Sequence, residues 1–313
     1  MNFPAQIAGL QDVRLPSQPL HLAIGMFDGV HLGHRAVIEA AVQSARANGA
    51  LSGVLTFSPH PSVLFRPDNP TKMIQDAGVK GRILEQLGVD FVIAQTFNAE
   101  LASIPAEDFL PWLLRALPRL AAIYVGENFR FGQGRRGDVA VLVAAGRKHG
   151  VRVFSAPRVS LNGQPISSTR IRAQLAAGEV KNANALLGYN YFSEGIVTGG
   201  KRLGRTLGFP TLNLPWAPDL RPCFGVYAVR VTGAKTAEPL AAVANYGLRP
   251  TVEETVVPRL EVHVLGACPF GEGDAVRVEW IRFLRPEKKF AGVEELRAQI
   301  EADRETAKAF FGA

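Results

Sequence analysis

The first half of the sequence is dominated by short apolar runs that alternate with helical patterns. Candidate strands lie at residues 20–26, 52–57, 90–97, 121–126 and 151–157, and candidate helices lie between them at 34–49, 79–88, 106–117 and 139–150. Strands that alternate with helices predict right-handed βαβ crossovers and a mostly parallel sheet covered by helices. Ligands of such sheets bind beyond the carboxyl ends of the strands, where the loops gather.

The pattern changes after a helical stretch at residues 170–188. Apolar residues then alternate at period two in four runs separated by Gly- and Pro-rich turns, at 225–231, 240–247, 259–266 and 275–284. This pattern is typical of an antiparallel barrel, and an amphipathic helix at 292–311 is predicted to pack on one side of it. With 313 residues the chain is long enough for two cores, and we predict domains at 1–187 and 188–313.

The charge of the sequence narrows the class of partner. The net charge is +7, and short basic clusters stand beside glycines in "GQGRRGD" and "GGKRLGR" without interleaved aromatic residues. This arrangement favours pockets for phosphates over a long groove for a polynucleotide, although a basic surface without a dedicated partner and a nucleic-acid-binding protein are the alternatives. We expect small-molecule partners, no nucleic acid and no membrane.

Three further features bear on location. No apolar run approaches the roughly 20 residues that span a bilayer. The first 20 residues lack the pattern of a secretory signal. The two cysteines, Cys223 and Cys268, fit no metal spacing and argue against a disulfide framework. A cytoplasmic location is therefore expected.

The stretch "GMFDGVHLGH" at residues 25–34 carries the strongest chemical signal. Gly25, Gly29 and Gly33 allow a sharp turn and a close approach to a ligand, directly before a predicted helix. The helix start offers free N–H groups to an anion, and His31 and His34 can point into the same place. Single histidines are more often structural, but a strand, a glycine-rich turn, H-x-G-H and a helix together predict a phosphate site.

This stretch resembles the first signature of the H-x-G-H nucleotidyltransferases, in the form found in the prokaryotic bifunctional riboflavin kinase/FMN adenylyltransferases (FAD synthetases). The segments "TFSPHP" (56–61), "VGENFRFG" (125–132) and "ISSTRIR" (166–172) follow in that family's order. "GRTLGFPTLNLP" (204–215) resembles the riboflavin kinase signature. The resemblance implies a Rossmann-like α/β nucleotidyltransferase domain followed by an antiparallel β-barrel kinase domain with a C-terminal helix. It also implies that ATP phosphorylates riboflavin to FMN and then adenylylates FMN to FAD, with release of pyrophosphate.

For the first half, the resemblance implies a catalytic group of His31, His34 and Arg170. It further implies contacts with the nucleotide or the flavin at Gly25, Phe27, Gly33, His60, Asn128, Ser167, Ser168 and Thr169. Other interpretations stay open: the three hydroxyl residues suit simple capping of a helix, His60 suits a structural loop histidine, and Asp28 suits a turn.

For the second half, a kinase needs a carboxylate near the riboflavin hydroxyl, a divalent ion and donors around the phosphates. The resemblance implies Glu261 as the base and Thr211 and Asn213 as ligands of Mg²⁺. It also implies binding residues at Gly199, Lys201, Gly204, Arg205, Gly208 and Asn245. On pattern alone, Glu261 would be an outward residue of an alternating strand, opposite in side to Val262 and Val264.

The sequence departs from the family between residues 266 and 274, where "GACPFGEGD" replaces an acidic stretch and a D-L-Y-G-like turn. Val252 also stands where an aromatic residue is common. The alternative is therefore an FMN adenylyltransferase with a non-catalytic C-terminal barrel that binds flavin or serves assembly. Whether copies of the chain form a homo-oligomer is left open by the sequence.

Overall fold

The computed structural model describes residues 6–14, 17–199, 208–248 and 258–312. They form two compact units that divide between Ser168 and Thr169. The division lies within a helix that begins at Ser168, upstream of the change in sequence pattern. The predicted domain boundary after residue 187 stays a prediction.

The first unit contains a six-stranded sheet in which every neighbouring pair is parallel. Its strands are β1 (Gln6–Ile7), β2 (Leu20–Ile24), β3 (Leu51–Ser58), β4 (Phe91–Thr96), β5 (Leu120–Gly126) and β6 (Arg152–Ala156), in the spatial order β1-β4-β3-β2-β5-β6. The five strands expected from the sequence are all present. The two-residue β1 was not predicted, because so short a strand leaves no alternation to detect.

Helices cover this sheet as the alternation predicts. They are α1 (Leu32–Ala47), α2 (Ser62–Phe65), α3 (Ala77–Gln86), α4 (Ala99–Ala102), α5 (Ala106–Ala116) and α6 (Val139–His149), and a small hairpin follows with β7 (Ser160–Leu161) and β8 (Gln164–Pro165). All five residues of β2 are buried, as a central strand covered on both faces requires.

The order of the strands determines where a ligand can bind. β2 pairs with β3 on one side and with β5 on the other. The chain therefore runs from β2 through β3 to β4 in one direction and then crosses back to β5 on the other side of β2. Such a reversal opens a crevice outside the carboxyl ends of the strands. The loops that follow β2, β3 and β5 carry the H-x-G-H turn, His60 and Asn128, and all three lie at this edge.

The second unit opens with a helical region interrupted by one turn. α7 (Ser168–Ala176) and α8 (Val180–Leu187) are separate helices, where the sequence suggested one helical stretch. Gly178 has a φ of +78°. This left-handed conformation suits glycine and ends the first helix.

The remainder of the second unit is an antiparallel barrel. Its strands are β9 (Phe192–Ile196), β10 (Leu212–Pro215), β11 (Gly225–Gly233), β12 (Leu240–Leu248), β13 (Pro258–Val264) and β14 (Ala275–Pro286), in the order β10-β13-β12-β11-β14-β9. A bridge between Thr198 and Asn213 nearly joins the two edge strands. The predicted barrel and its final helix, α9 (Val293–Phe311), are confirmed.

The two faces of the barrel wall differ. Fully buried aromatic side chains fill the interior, among them Tyr227, Tyr246 and Trp280. On the outer face, α9 packs through Ala307 against apolar residues of β11 and β12. A two-point ion pair between Arg285 and Asp303, at 2.8 and 2.7 Å, fixes the helix to β14.

Candidate functional site

The H-x-G-H turn between β2 and α1 has an unusual backbone. Phe27 and Val30 have positive φ angles of 48° and 38°, and Gly29 lies at 76°. Positive φ is uncommon for residues with a Cβ and is enriched at functional sites. A Cβ on Gly33 would lie 3.2 Å from the ring of His31, so a larger residue at this position would crowd the ring. A Cβ on Gly25 would likewise lie 2.9 Å from the ring of Phe27.

The two histidine rings lie together at the start of α1. Their centroids are 3.6 Å apart and the rings are stacked within 16°. His31 is the N-cap of the helix, and its Nδ1 accepts a hydrogen bond of 3.3 Å from the backbone N–H of His34. This bond requires Nδ1 without a proton, so the neutral His31 ring carries its proton on Nε2 and can donate it.

Both rings are uncharged at neutral pH. Burial lowers the pKa of His31 to about 4. Burial, followed by the charges of His31 and Lys80, holds the pKa of His34 well below its usual range. The Nδ1 of His34 is covered and has no hydrogen-bond partner among the residues that the structure describes. In this neutral state the Nε2–H of His31 can donate a hydrogen bond, and a nearby anion would raise the pKa of both rings.

This lowered pKa makes the stability of the chain depend on pH. Between pH 6.5 and about 4 the unfolded chain protonates His31 and the folded chain does not, so the free energy of unfolding falls as the pH is lowered through this window. We expect the wild type to lose about 2 kcal/mol more than His31→Asn between pH 7 and pH 5 in urea unfolding. Equal losses in the two proteins would contradict this assignment.

Asp28 serves the turn itself. Its carboxylate accepts from the N–H of Ile74 at 3.0 Å, and its backbone carbonyl accepts from the hydroxyl of Ser168 at 2.9 Å. The side chain is buried. These contacts agree with the turn-forming interpretation from the sequence, because they leave the carboxylate engaged within the fold.

The "ISSTRIR" segment joins this region through Ser168, the first residue of α7. Ser167 and Ser168 are half-buried, Thr169 is exposed and Arg170 is half-buried in the first turn of the helix. Thr169 and Arg170 belong to the second compact unit. The approach of Arg170 to the two histidines stays a prediction.

The loop after β3 places His60 at the carboxyl edge of the sheet. Its Nδ1 lies 2.8 Å from the hydroxyl of Ser62, which in turn accepts from the N–H of Thr71 at 2.7 Å. Beside it Phe65 is 63% exposed and contacts Phe97 edge to face at 6.1 Å. An exposed aromatic surface beside a polar ring is suited to stacking a planar heterocycle.

Asn128 is exposed in the turn that follows β5. Its side-chain oxygen lies close to Gly126, since a Cβ on that glycine would be 3.3 Å from this oxygen. It thus stands over the strand end and is open to a ligand at the same edge as the H-x-G-H turn. Its predicted contact with the nucleotide or flavin phosphate stays a prediction.

In the barrel, three of the predicted residues form one row. Asn213 of β10 stands opposite Glu261 of β13, and Glu261 stands opposite Asn245 of β12. Directly opposed residues share a face of a sheet. The apolar neighbours Leu212, Leu260 and Val262 are buried, so this polar row lies on the outer face, as the alternation of β13 predicted.

The segment that carries Thr211 is held beside this row. His263 lies two residues after Glu261 on the same face, and its Nδ1 is 2.9 Å from the carbonyl oxygen of Pro210. The ring of Phe209 stands edge-on to His263 at 5.7 Å, and the guanidinium of Arg304 lies 5.7 Å from the centre of the Phe209 ring. Strand β13 and helix α9 therefore both contact the chain immediately before Thr211.

The glycine-rich loop of the barrel is described only in part. Gly199 and Gly208 are exposed, and Gly208 has a φ of +88°. Lys201, Gly204, Arg205 and Val252 lie outside the described residues. The predicted phosphate contacts of this loop stay predictions.

Sequence reasoning missed three features of these sites. Lys80 is buried and donates to the carbonyl of Met26 in the H-x-G-H turn. The Phe65–Phe97 surface and the contact of His263 with Pro210 were also missed. All three depend on tertiary contacts, and only the apolar side chain at Phe65 within a polar loop could have been a signal.

The fold and the two sites define the class of the protein. A parallel sheet with H-x-G-H at its central strand is the arrangement of a nucleotidyltransferase, and the barrel with its polar row is a second, separate module. A model of the FAD synthetase family matches residues 15–170, and a model of the riboflavin kinase family matches residues 187–311. The chain belongs to the bifunctional riboflavin kinase/FMN adenylyltransferase family.

Curated relatives support this assignment over nearly the whole length. The bifunctional riboflavin kinase/FMN adenylyltransferase of Escherichia coli K12 is 38% identical over 307 residues, which is 98% of this chain and 97% of the relative. The protein of the same name from Bacillus subtilis is 36% identical over 295 residues, 93% of this chain and 92% of the relative.

A solved structure has the same fold. A crystal structure titled macrolide-efflux protein from Streptococcus pneumoniae matches with a TM-score of 0.86 and 29% identity, covering 97% of this chain and 98% of that one. Within the described part of this chain, no helix is both long and apolar enough to cross a membrane.

Proposed function

We propose that this chain is a transferase that makes both flavin cofactors: it phosphorylates riboflavin to FMN with ATP, and it adenylylates FMN to FAD with release of pyrophosphate. The observation that carries the proposal is the separate match of the two halves to a FAD synthetase model and a riboflavin kinase model. Each half also presents its own cluster of polar residues on its own fold.

In the first unit, we assign adenylylation to the H-x-G-H turn. A phosphate oxygen of FMN attacks the α-phosphorus of ATP, the α–β bridging P–O bond breaks, and pyrophosphate leaves with the negative charge. This step needs positioning and stabilisation of that charge more than covalent chemistry. The Nε2–H of His31, the ring of His34 and the free N–H groups of α1 supply donors there, with Arg170 proposed as the cation.

The flavin ring of FMN is assigned to the loop after β3. The exposed Phe65 and the half-buried Phe97 offer an aromatic surface at the carboxyl edge of the sheet, and His60 lies in the same loop as Phe65. Asn128 after β5 and the hydroxyls of Ser167, Ser168 and Thr169 are proposed to bind phosphates. Gly25, Phe27 and Gly33 shape the turn so that the backbone can approach them.

In the barrel, we assign phosphorylation to the row of Asn213, Glu261 and Asn245. Glu261 accepts the proton of the riboflavin 5′-hydroxyl as its oxygen attacks the γ-phosphorus and ADP leaves. Asn245 is proposed to orient the flavin. The residues Gly199, Lys201, Gly204, Arg205 and Gly208 are proposed to surround the phosphates of ATP.

The barrel also fits a magnesium ion. Thr211 and Asn213 offer hard oxygen ligands beside a carboxylate, which is the chemistry Mg²⁺ prefers, and Mg²⁺ commonly takes few protein ligands and completes its shell with phosphates and water. Among the described residues there is no group of three or more His, Cys, Asp or Glu that could hold a metal. When bound, the ion would neutralise charge on the transferring phosphates.

The alternative of a non-catalytic barrel is not favoured. The altered segment at 266–274 follows β13 as an ordered connection, with Phe270 buried and Asp274 accepting from the N–H of Gly271 at 2.8 Å. It leaves the opposed row of Asn213, Glu261 and Asn245 intact. Riboflavin, FMN and ATP remain the proposed partners, and the cytoplasmic location and the absence of a nucleic-acid partner stay predictions.

The decisive experiment is separation of products by chromatography after incubation with riboflavin, ATP and Mg²⁺. We expect FMN to appear first and FAD to follow, because the product of one reaction is the substrate of the other. A parallel incubation with FMN tests adenylylation alone. If FAD forms from FMN but riboflavin is not consumed, the alternative holds; if FMN is not converted either, the proposal fails.

A further inference from the structure

Lys80 of α3 is a buried cation in contact with the H-x-G-H turn. Only 4% of the residue is exposed. Its Nζ donates to the carbonyl oxygen of Met26 at 3.3 Å and lies 3.0 Å from the hydroxyl of Thr56, which itself donates to the same carbonyl at 2.9 Å. Met26 directly precedes the residues with positive φ, so the lysine holds the chain at the point where the turn begins.

Burial of this charge opposes folding unless it is compensated. An ammonium group taken out of water is costly, and lysine is among the residues least often fully buried. The small cavity beside it, about 20 Å³, is otherwise lined by uncharged side chains from β1, β3, β4 and α3. An apolar residue would fill such a place at lower cost, which indicates that the charge has a use.

The charges that face Lys80 belong to the H-x-G-H region. The carboxylate of Asp28 attracts it, and the ring of His34 is repelled by it in the protonated form. Strand β3 faces it with the uncharged Thr56. The ammonium group therefore adds a positive charge at the end of α1 that already offers free N–H groups, which is the end where anions bind.

We propose that Lys80 is a positioning residue of the adenylylation site, which fixes the Met26 carbonyl at the start of the H-x-G-H turn and adds a positive charge behind His34. Through the turn it sets the place of the two imidazole rings, and through its charge it raises the potential that the phosphates of ATP meet. This inference rests on the proposed adenylylation activity.

Three variants separate the charge from the shape. Lys80→Met keeps a long unbranched side chain and removes the charge. Thr56→Val removes the other hydrogen bond to Met26 and keeps the charge. Lys80→Arg keeps the charge and tests rescue. The phosphorylation of riboflavin reports the amount of active chain in each preparation, because it uses residues of the second unit. Urea unfolding of each variant checks the fold of the first unit.

We expect Lys80→Met to lower kcat/KM for ATP in adenylylation by about 10- to 100-fold at pH 7, with kcat/KM for ATP in phosphorylation unchanged. In Thr56→Val the same kcat/KM for ATP in adenylylation should fall by less than about threefold, since the charge of Lys80 persists. Burial lowers the pKa of Lys80 to about 8. The wild-type profile of kcat/KM should therefore decline above pH 8 as the charge is lost, and Lys80→Met should lack this decline.

A spectroscopic readout tests the charge directly. The chain has six histidines, and a His34→Asn sample assigns the resonance of His34 in ring-labelled protein. Removal of the neighbouring positive charge should raise the pKa of His34 in Lys80→Met, whereas Thr56→Val should leave it near the wild-type value.

The outcomes are distinct. The inference would be overturned if kcat/KM for ATP in adenylylation by Lys80→Met stayed within about twofold of wild type. It would also be overturned if Lys80→Met and Thr56→Val lost activity equally and both kept the decline at high pH. In either case the lysine would have a structural role only. A wild-type chain that makes no FAD from FMN and ATP would overturn the proposed function instead. If Lys80→Met does not fold, Lys80→Arg decides. Because arginine keeps its charge at high pH, this variant should retain adenylylation at pH 7 and the wild-type pKa of His34 but lose the decline above pH 8, and a retained decline would overturn the inference.

Discussion

Replacement of His31 by asparagine is expected to lower FAD formation from FMN and ATP by about 10²–10³-fold, the usual cost of removing one donor to a developing charge. The Nε2–H of His31 is the donor that this change removes, since Nδ1 is engaged with the N–H of His34 at 3.3 Å. The measurement is the initial rate of each reaction in the same preparation, with riboflavin or FMN supplied.

Asparagine is chosen because it separates the chemistry from the fold. His31 is the N-cap of α1, and asparagine is a strong N-cap that can accept the same backbone hydrogen bond. His31→Ala removes the cap as well and should show the same loss of adenylylation with an added loss of stability of about 1 kcal/mol. FMN formation should stay within about twofold of wild type in both.

His149→Asn is the matched control. His149 is exposed as the last residue of α6, so the same exchange there should leave both reactions unchanged. Full adenylylation by His31→Asn would show that the ring is structural. Equal loss of both activities would contradict separate sites for the two reactions.

The sequence predicts most of the fold because apolar residues recur at regular spacing in its helices and strands. The strands of the first half and the four long strands of the barrel follow from apolar runs of sufficient length. β1 and β10, with two and four residues, are too short to show a period. The break at Gly178 was missed because one glycine within a helical pattern is compatible with a continuous helix.

The sites were predictable to a different degree. His31 and His34 were identified because the glycines and the helix start are local signals around them. The role of Lys80 was not, since a lysine in an amphipathic helix normally marks the solvent face. That Glu261 stands between Asn213 and Asn245 depends on the pairing of three strands, which the residues carried over from the family did not specify.

Glu261→Gln is expected to slow phosphorylation of riboflavin by about 10²–10⁴-fold, the usual contribution of a general base. Glutamine keeps the size of the side chain and its place between Asn213 and Asn245, and it removes the charge and the basic oxygen. The loss should fall on kcat, because the proton leaves the hydroxyl only in the chemical step.

Two controls make the result specific to the base. Glu238→Gln exchanges an exposed glutamate of the second unit and should change neither rate. Adenylylation of supplied FMN by Glu261→Gln should equal that of the wild type, since none of the residues assigned to that reaction lies in the barrel strands. Retention of phosphorylation within about tenfold would exclude Glu261 as the base. His263, which lies on the same face of β13 with Nδ1 at 2.9 Å from the carbonyl oxygen of Pro210, would then be the next residue to replace.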